Sequence, residues 1–124
     1  MMKPLPLSLF SALPLLLAAH VQADARPDHY GGEPAETLTQ AVANFSEYNT
    51  RLAELLVGEL TPAALNEVHQ LTYTLENALA KINEETATLA QTLEEVHVAS
   101  ETNQPQVVKD RGEAYLKVSR TLVH

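Results

Sequence analysis

The chain of 124 residues contains no cysteine. That excludes a disulfide scaffold, thiol catalysis, zinc–thiolate sites and covalent haem attachment through thioethers. It also excludes a lipoprotein anchor, which needs a cysteine at the processing site. Aromatic residues make up only 5%, so any core must be built from Leu, Val and Ala. Four glycines and seven prolines are too few for a collagenous or linker-like chain. Basic residues are scarce as well, 8 against 16 acidic ones for a net charge of −8. An acidic surface repels phosphate backbones and anionic lipid, so neither nucleic acid nor a membrane surface is an expected partner. The length leaves room for one domain.

What is present begins with a targeting pattern. Lys3 precedes an apolar run from Leu5 to Ala19, broken only by Pro and Ser. Spanning a bilayer takes ~20 apolar residues, so fifteen read as a secretory signal rather than an anchor. Small residues suited to cleavage follow at Val21-Gln22-Ala23 and Ala23-Asp24-Ala25. Cleavage after Ala23 is favoured, because the later site would place Pro27 two residues past the bond. No twin-arginine pair precedes the run, so export unfolded into the periplasm is expected. The reading is therefore a signal peptide over 1–23, an irregular segment over 24–33, and a helical domain over 34–124. The processed chain would carry 7 basic and 16 acidic residues, a net charge of −9.

Three helical patterns fill the domain. Helix A is expected over ~34–57. Pro34 suits its first turn, and Leu38, Val42, Phe45, Asn49, Leu52 and Leu56 recur at helical spacing. Gly58 is its expected stop. Helix B is expected over ~62–101, with Thr61 as N-cap and Pro62 at the first helical position. Its apolar residues follow a heptad. Leu65, Thr72, Leu79, Thr86, Leu93 and Ser100 occupy position a; Val68, Leu75, Ile82, Leu89 and Val96 occupy position d. Helix C is expected over ~105–122, started by Pro105 and capped by Asn103 or Gln104. Its inner stripe is Val108, Gly112, Tyr115, Ser119 and Leu122. Gly112 costs about 1 kcal/mol in a helix interior, which close approach to a partner helix would offset.

The expected fold class is thus all-α, an antiparallel bundle with a long central helix. Short loops fold A onto the first half of B and C onto the second, pairing Phe45 with Leu75 and Leu52 with Val68. That leaves the seam of B half exposed, a loss on the order of 10 kcal/mol if eight Leu and Val side chains stay half wet. Two arrangements would recover it. B could break near Asn83 to form a four-helix monomer, or it could stay whole and homodimerise antiparallel about Asn83, with Ile82 at the two-fold centre. The lack of any breaker in Lys81-Ile82-Asn83-Glu84-Glu85 favours the dimer.

Candidate ligand groups are few. His69 and His97 sit at equivalent heptad positions, symmetric about Asn83. A broken helix or an antiparallel dimer would bring them level, where they could hold haem or a metal ion; they also recur simply because the heptad recurs. Glu94 and His97 form one Glu-x-x-His, half of a di-iron motif. The matching position ahead of His69 is Asn66, and Glu101 lies one turn beyond His97. Beyond residue 23 there is no methionine, which excludes a His/Met haem iron. His29 stands sixth after the favoured cleavage site, too far for an amino-terminal copper motif. Tyr48, Tyr73 and Phe45 are expected to cluster as packing between A and B. No nucleophile with an evident base and no phosphate-cradling glycine loop is present. The expectation is a non-enzymatic protein without a cofactor, acting by self-association or by binding an unidentified protein. The alternative is a periplasmic haem or metal carrier using His69 and His97.

The strings His29-Tyr30, Asn44-Phe45-Ser46-Glu47-Tyr48-Asn49, His69 through Leu79, and Gly112-Glu113-Ala114-Tyr115-Leu116 resemble those of a family of short exported bacterial proteins of unknown function. The resemblance implies export and helical character and transfers no catalytic residues. A vaguer likeness to four-helix periplasmic cytochromes rests on length and pattern alone. The processing site is checked by the intact mass of the exported protein, which is expected to begin at Asp24; a mass that retains residues 1–23 would refute it.

Overall fold

A computed structural model describes residues 31–123. The signal-peptide and cleavage assignments, His29 and His124 lie outside the described residues. Three α-helices follow in order: α1 (Leu38–Val57), α2 (Pro62–Glu101) and α3 (Pro105–Leu122). Among the described residues there is no strand. α1 packs on the first half of α2 and α3 on the second, with a small contact between α1 and α3. Two ion pairs report the antiparallel registers, each joining residues nearly equidistant from the intervening turn. Arg51 meets Glu67 at 3.7 Å, and Arg111 meets Glu95.

The boundaries of α2 and α3 follow from local chemistry. Thr61 Oγ1 accepts from the Ala64 amide at 3.2 Å, and Pro62 opens α2. At its other end the Gln104 amide donates to the Ala99 carbonyl at 2.9 Å across Asn103, whose φ is 55°. Asparagine is one of the few residues with a side chain that enters this region readily. Gln104, not Asn103, is the N-cap of α3, and it makes no side-chain cap bond.

Helix α1 starts four residues later than Pro34 would place it. Thr37 is the N-cap, with Oγ1 accepting from the Gln40 amide at 3.1 Å. Gln40 Oε1 in turn accepts from the Glu36 amide at 3.0 Å. The Thr37 bond satisfies one donor that the helix start leaves open, and the Gln40 bond ties the residue ahead of the N-cap to the first turn. Pro34 lies ahead of the helix without regular secondary structure, its carbonyl held by Asn44 Nδ2 at 3.2 Å. Gly58 caps α1 with a φ of −86°, so the stop there does not draw on glycine's left-handed freedom.

Helix α2 runs unbroken through Asn83, so the four-helix monomer with a break at that residue is overturned. Lys81 spans the stretch, with Nζ 3.1 Å from Glu84 and 2.9 Å from Glu85. Hydrogen bonds to Glu85 and then Glu84 hold its pKa above the ordinary lysine value. Thr86 Oγ1 donates to the Ile82 carbonyl at 2.8 Å.

The core lies between α1 and the first half of α2. Tyr48, Leu71 and Leu75 are buried together, with Phe45, Leu52 and Leu55 packed around them. Leu71 is 1% exposed, and full burial of a leucine contributes about 1.5–3 kcal/mol. Tyr48 and Phe45 therefore sit where expected. Tyr73 does not join them, but lies edge-on to His69 with ring centroids 5.2 Å apart. α3 has no fully buried residue, so its attachment is the weaker of the two.

Gly112 is not a point of close approach. A Cβ built there meets nothing within 4 Å, so the helix bears the glycine's cost without return. Gly32 is the opposite case, with φ +74° and a Cβ position 2.6 Å from the Thr74 amide nitrogen. Gly112→Ala is expected to raise unfolding free energy by about 1 kcal/mol. Gly32→Ala is expected to lower it by about 1–2 kcal/mol or more, from the left-handed backbone alone. Urea titration followed by circular dichroism checks both signs.

Candidate interaction surface

The heptad on α2 predicts which residues repeat but misplaces the face they share. The residues that turn inward are position d and the position one place before a. Leu71, Leu75, Ala78 and Ala99 are buried, and Ile82, Leu89 and Val96 half-buried. The a-position leucines are outside: Leu65 is 53% exposed, Leu79 43% and Leu93 46%. The expected a/d seam is thus corrected to a seam rotated by about half a residue step. α1 is rotated in the same sense. Ala41, Tyr48 and Leu55 face α2 in place of Val42, Asn49 and Leu56, and Leu56 is exposed.

Alanine explains the rotation. Ala41 and Ala78 are each fully buried, and small side chains let two helix backbones approach closely. Fixing Ala41, Tyr48 and Leu71 inside brings more atoms into contact than fixing Val42, Asn49 and Thr72 would. The consequence is a long face of α2 that neither α1 nor α3 covers. Leu65, Leu79 and Leu93 run along it, flanked by exposed His69, Glu76, Asn83, Ala90 and His97.

The two histidines share this face but not a site. They lie 28 residues apart on one continuous helix, or ~42 Å at 1.5 Å per residue. His97 Nε2 is 3.2 Å from Glu101 Oε1, both side chains exposed. His69 Nε2 is 3.4 Å from the Tyr73 hydroxyl. Among the described residues no group of three His, Asp or Glu side chains converges as a metal ion would need.

The opposite side of α2 carries a feature that the heptad does not reveal. Residues 31–34 cross it as a strap without regular secondary structure. Thr74, a polar residue with no exposure, accepts from the Glu33 amide through Oγ1 at 2.9 Å. Asn77 Nδ2 donates to the Gly31 carbonyl at 2.8 Å and to the Glu33 carbonyl at 3.1 Å. Beside the strap an open groove is lined by Pro34, Glu36, Asn77, Lys81 and Glu84. The available signal for it was Gly31-Gly32 next to Pro34, where the chain lacks periodicity yet holds two glycines.

An antiparallel, all-α, three-helix protein with one helix face uncovered is the class that this geometry defines. The chain belongs to DUF6746, a family of unknown function, which it matches over residues 2–124. No curated protein and no solved structure matches it. No helix among the described residues is long and apolar enough to cross a membrane.

The strap gives a test of its own anchoring. Thr74→Val removes the acceptor of the Glu33 amide at nearly constant volume, a loss of about 1 kcal/mol. Hydrogen exchange at Glu33 is expected to quicken several-fold, while exchange in the middle of α2 stays unchanged.

Proposed function

We propose that this is an exported, non-enzymatic helical protein that acts by association, with itself or with another protein chain, through the uncovered face of α2. The observation that carries the reading is the row Leu65, Leu79 and Leu93, each more than two-fifths exposed on a folded helix. Single exposed apolar residues are common on any protein, whereas a row along one face marks an interaction site. The apolar run near the start of the chain and the small residues after it support export to the periplasm. The lack of a nucleophile with a base, and of a deep cleft among the described residues, supports a binding role rather than catalysis.

Sedimentation of the purified protein tests the reading. The chain is expected to associate at micromolar concentration, and Leu79→Glu with Leu93→Glu is expected to abolish that association without loss of helix content. Both positions are exposed, so the double variant should fold. A carrier role for His69 and His97 would instead show as a Soret band or stoichiometric metal, lost in His97→Ala, and that result would overturn the proposal.

A further inference from the structure

The uncovered face of α2 is ordered along its length. Leu65 and Leu93 each stand fourteen residues from Leu79, and Thr72 and Thr86 stand seven. A row that reads alike in both directions is complementary to a reversed copy of itself, which is the requirement for a two-fold contact. The geometry points to a second copy of this chain as the occupant of the face, antiparallel, with Leu79 on the two-fold axis. This rests on the association reading and names its partner.

In that register Leu79 meets Leu79 of the partner subunit, Leu65 meets Leu93 of the partner subunit, and Thr72 meets Thr86 of the partner subunit. A centre at Asn83 would instead set Leu79 level with Ala87, Leu93 with Tyr73 and Leu65 with the carboxylate of Glu101. The leucine row would lose its apolar partners. A parallel pair would also stack leucine on leucine, but it would oppose Glu76 to Glu76 and align the helix dipoles. The antiparallel pair brings Glu76 to the level of Ile82 of the partner subunit, one residue short of the partner's Asn83, and opposes it to no carboxylate.

Charge supports the same occupant. Of the seven glutamates of α2, four pair with Arg51, Lys81 or Arg111 away from this face, Glu101 pairs with His97 beyond the end of the overlap, and Glu76 and Glu94 are left beside the row. In a chain of net charge −8, a face that must meet its own copy has to be kept nearly free of carboxylates. About 35 residues of α2 would overlap, ~52 Å in length and ~10 Å in width, or ~1,000 Å² in total counting both partners. That reaches the size at which specific interfaces begin. The register also sets His69 and His97 of the partner subunit eight residues out of level, ~12 Å along the axis, so this dimer does not form a shared histidine site.

The absence of cysteine makes the test clean, since each introduced thiol is unique. Leu79→Cys, Asn83→Cys and Leu65→Cys are prepared in the full chain, with circular dichroism to confirm folding, and oxidised mildly at micromolar concentration. Leu79→Cys is expected to form disulfide-linked dimer at least tenfold faster than Asn83→Cys. Leu65→Cys is expected not to couple with itself but to couple with Leu93→Cys when the two are mixed. Faster coupling of Asn83→Cys would overturn the register while leaving association intact, and would bring His69 level with His97 of the partner subunit. Self-coupling of Leu65→Cys would show a parallel pair and overturn the antiparallel one. A wild-type chain that sediments as a monomer would overturn this inference and leave association with another protein chain as the surviving part of the reading it rests on.

Discussion

The length of α2 governs the architecture. Forty residues extend ~60 Å, and the two helices that pack on it have 20 and 18 residues. Laid end to end they cover its length once. They cannot also cover its circumference, so at each level the protein is two helices thick and part of α2 faces solvent. Which part is decided by the contact between α1 and α2. Ala41 and Ala78 admit close approach there, and Tyr48 and Leu71 fill the space beside them. Every other residue of α2 takes its exposure from that choice, because a helix is rigid in rotation and α3 docks on the side already selected.

Local chemistry made much of the fold readable. Thr61 before Pro62, and Pro105 after a polar loop, mark helix ends by hydrogen-bond geometry that depends on few neighbours. α2 and α3 accordingly span Pro62–Glu101 and Pro105–Leu122, as the spacing predicts. Pro34 misled because two start signals compete within six residues. The Thr37 and Gln40 pair satisfies open amides, whereas proline merely tolerates a first turn, and the strap contacts at Thr74 and Asn77 hold residue 34 out of the helix. The face of α2 was harder to read. Leu79 and Ala78 are adjacent, and hydropathy ranks the leucine first. Inter-helix distance ranks the alanine first, and that distance is a property of two helices that neither periodicity contains.

The same limit applies to the interaction surface. His69 and His97 were legible as a repeated pair, and a shared site followed only if the helix broke or paired about Asn83. The continuous helix removes the first route within one chain. The strap left only the Gly31-Gly32 pair as a signal, and its docking site was not legible, because Thr74 looks like an ordinary helix-surface threonine until residues 31–33 lie on it. A buried hydroxyl with a backbone amide as its donor is stable in that place only because Gly32 lets the chain approach so closely.

The arrangement of carboxylates bears on why the leucine row is there. Leucines left wet along a helix promote indiscriminate sticking, and the usual remedy is charge close by. α2 has charge in supply, yet Glu67 and Glu95 are engaged with Arg51 and Arg111, and Glu84 and Glu85 with Lys81. None of these four stands beside the leucines. Solubility alone would have been served as well by a glutamate at Ala90 or Asn83, where helix propensity and exposure both permit one. The rotation set by Ala41 and Ala78 is what leaves these leucines in solvent, with the arginine- and lysine-paired carboxylates turned away from them.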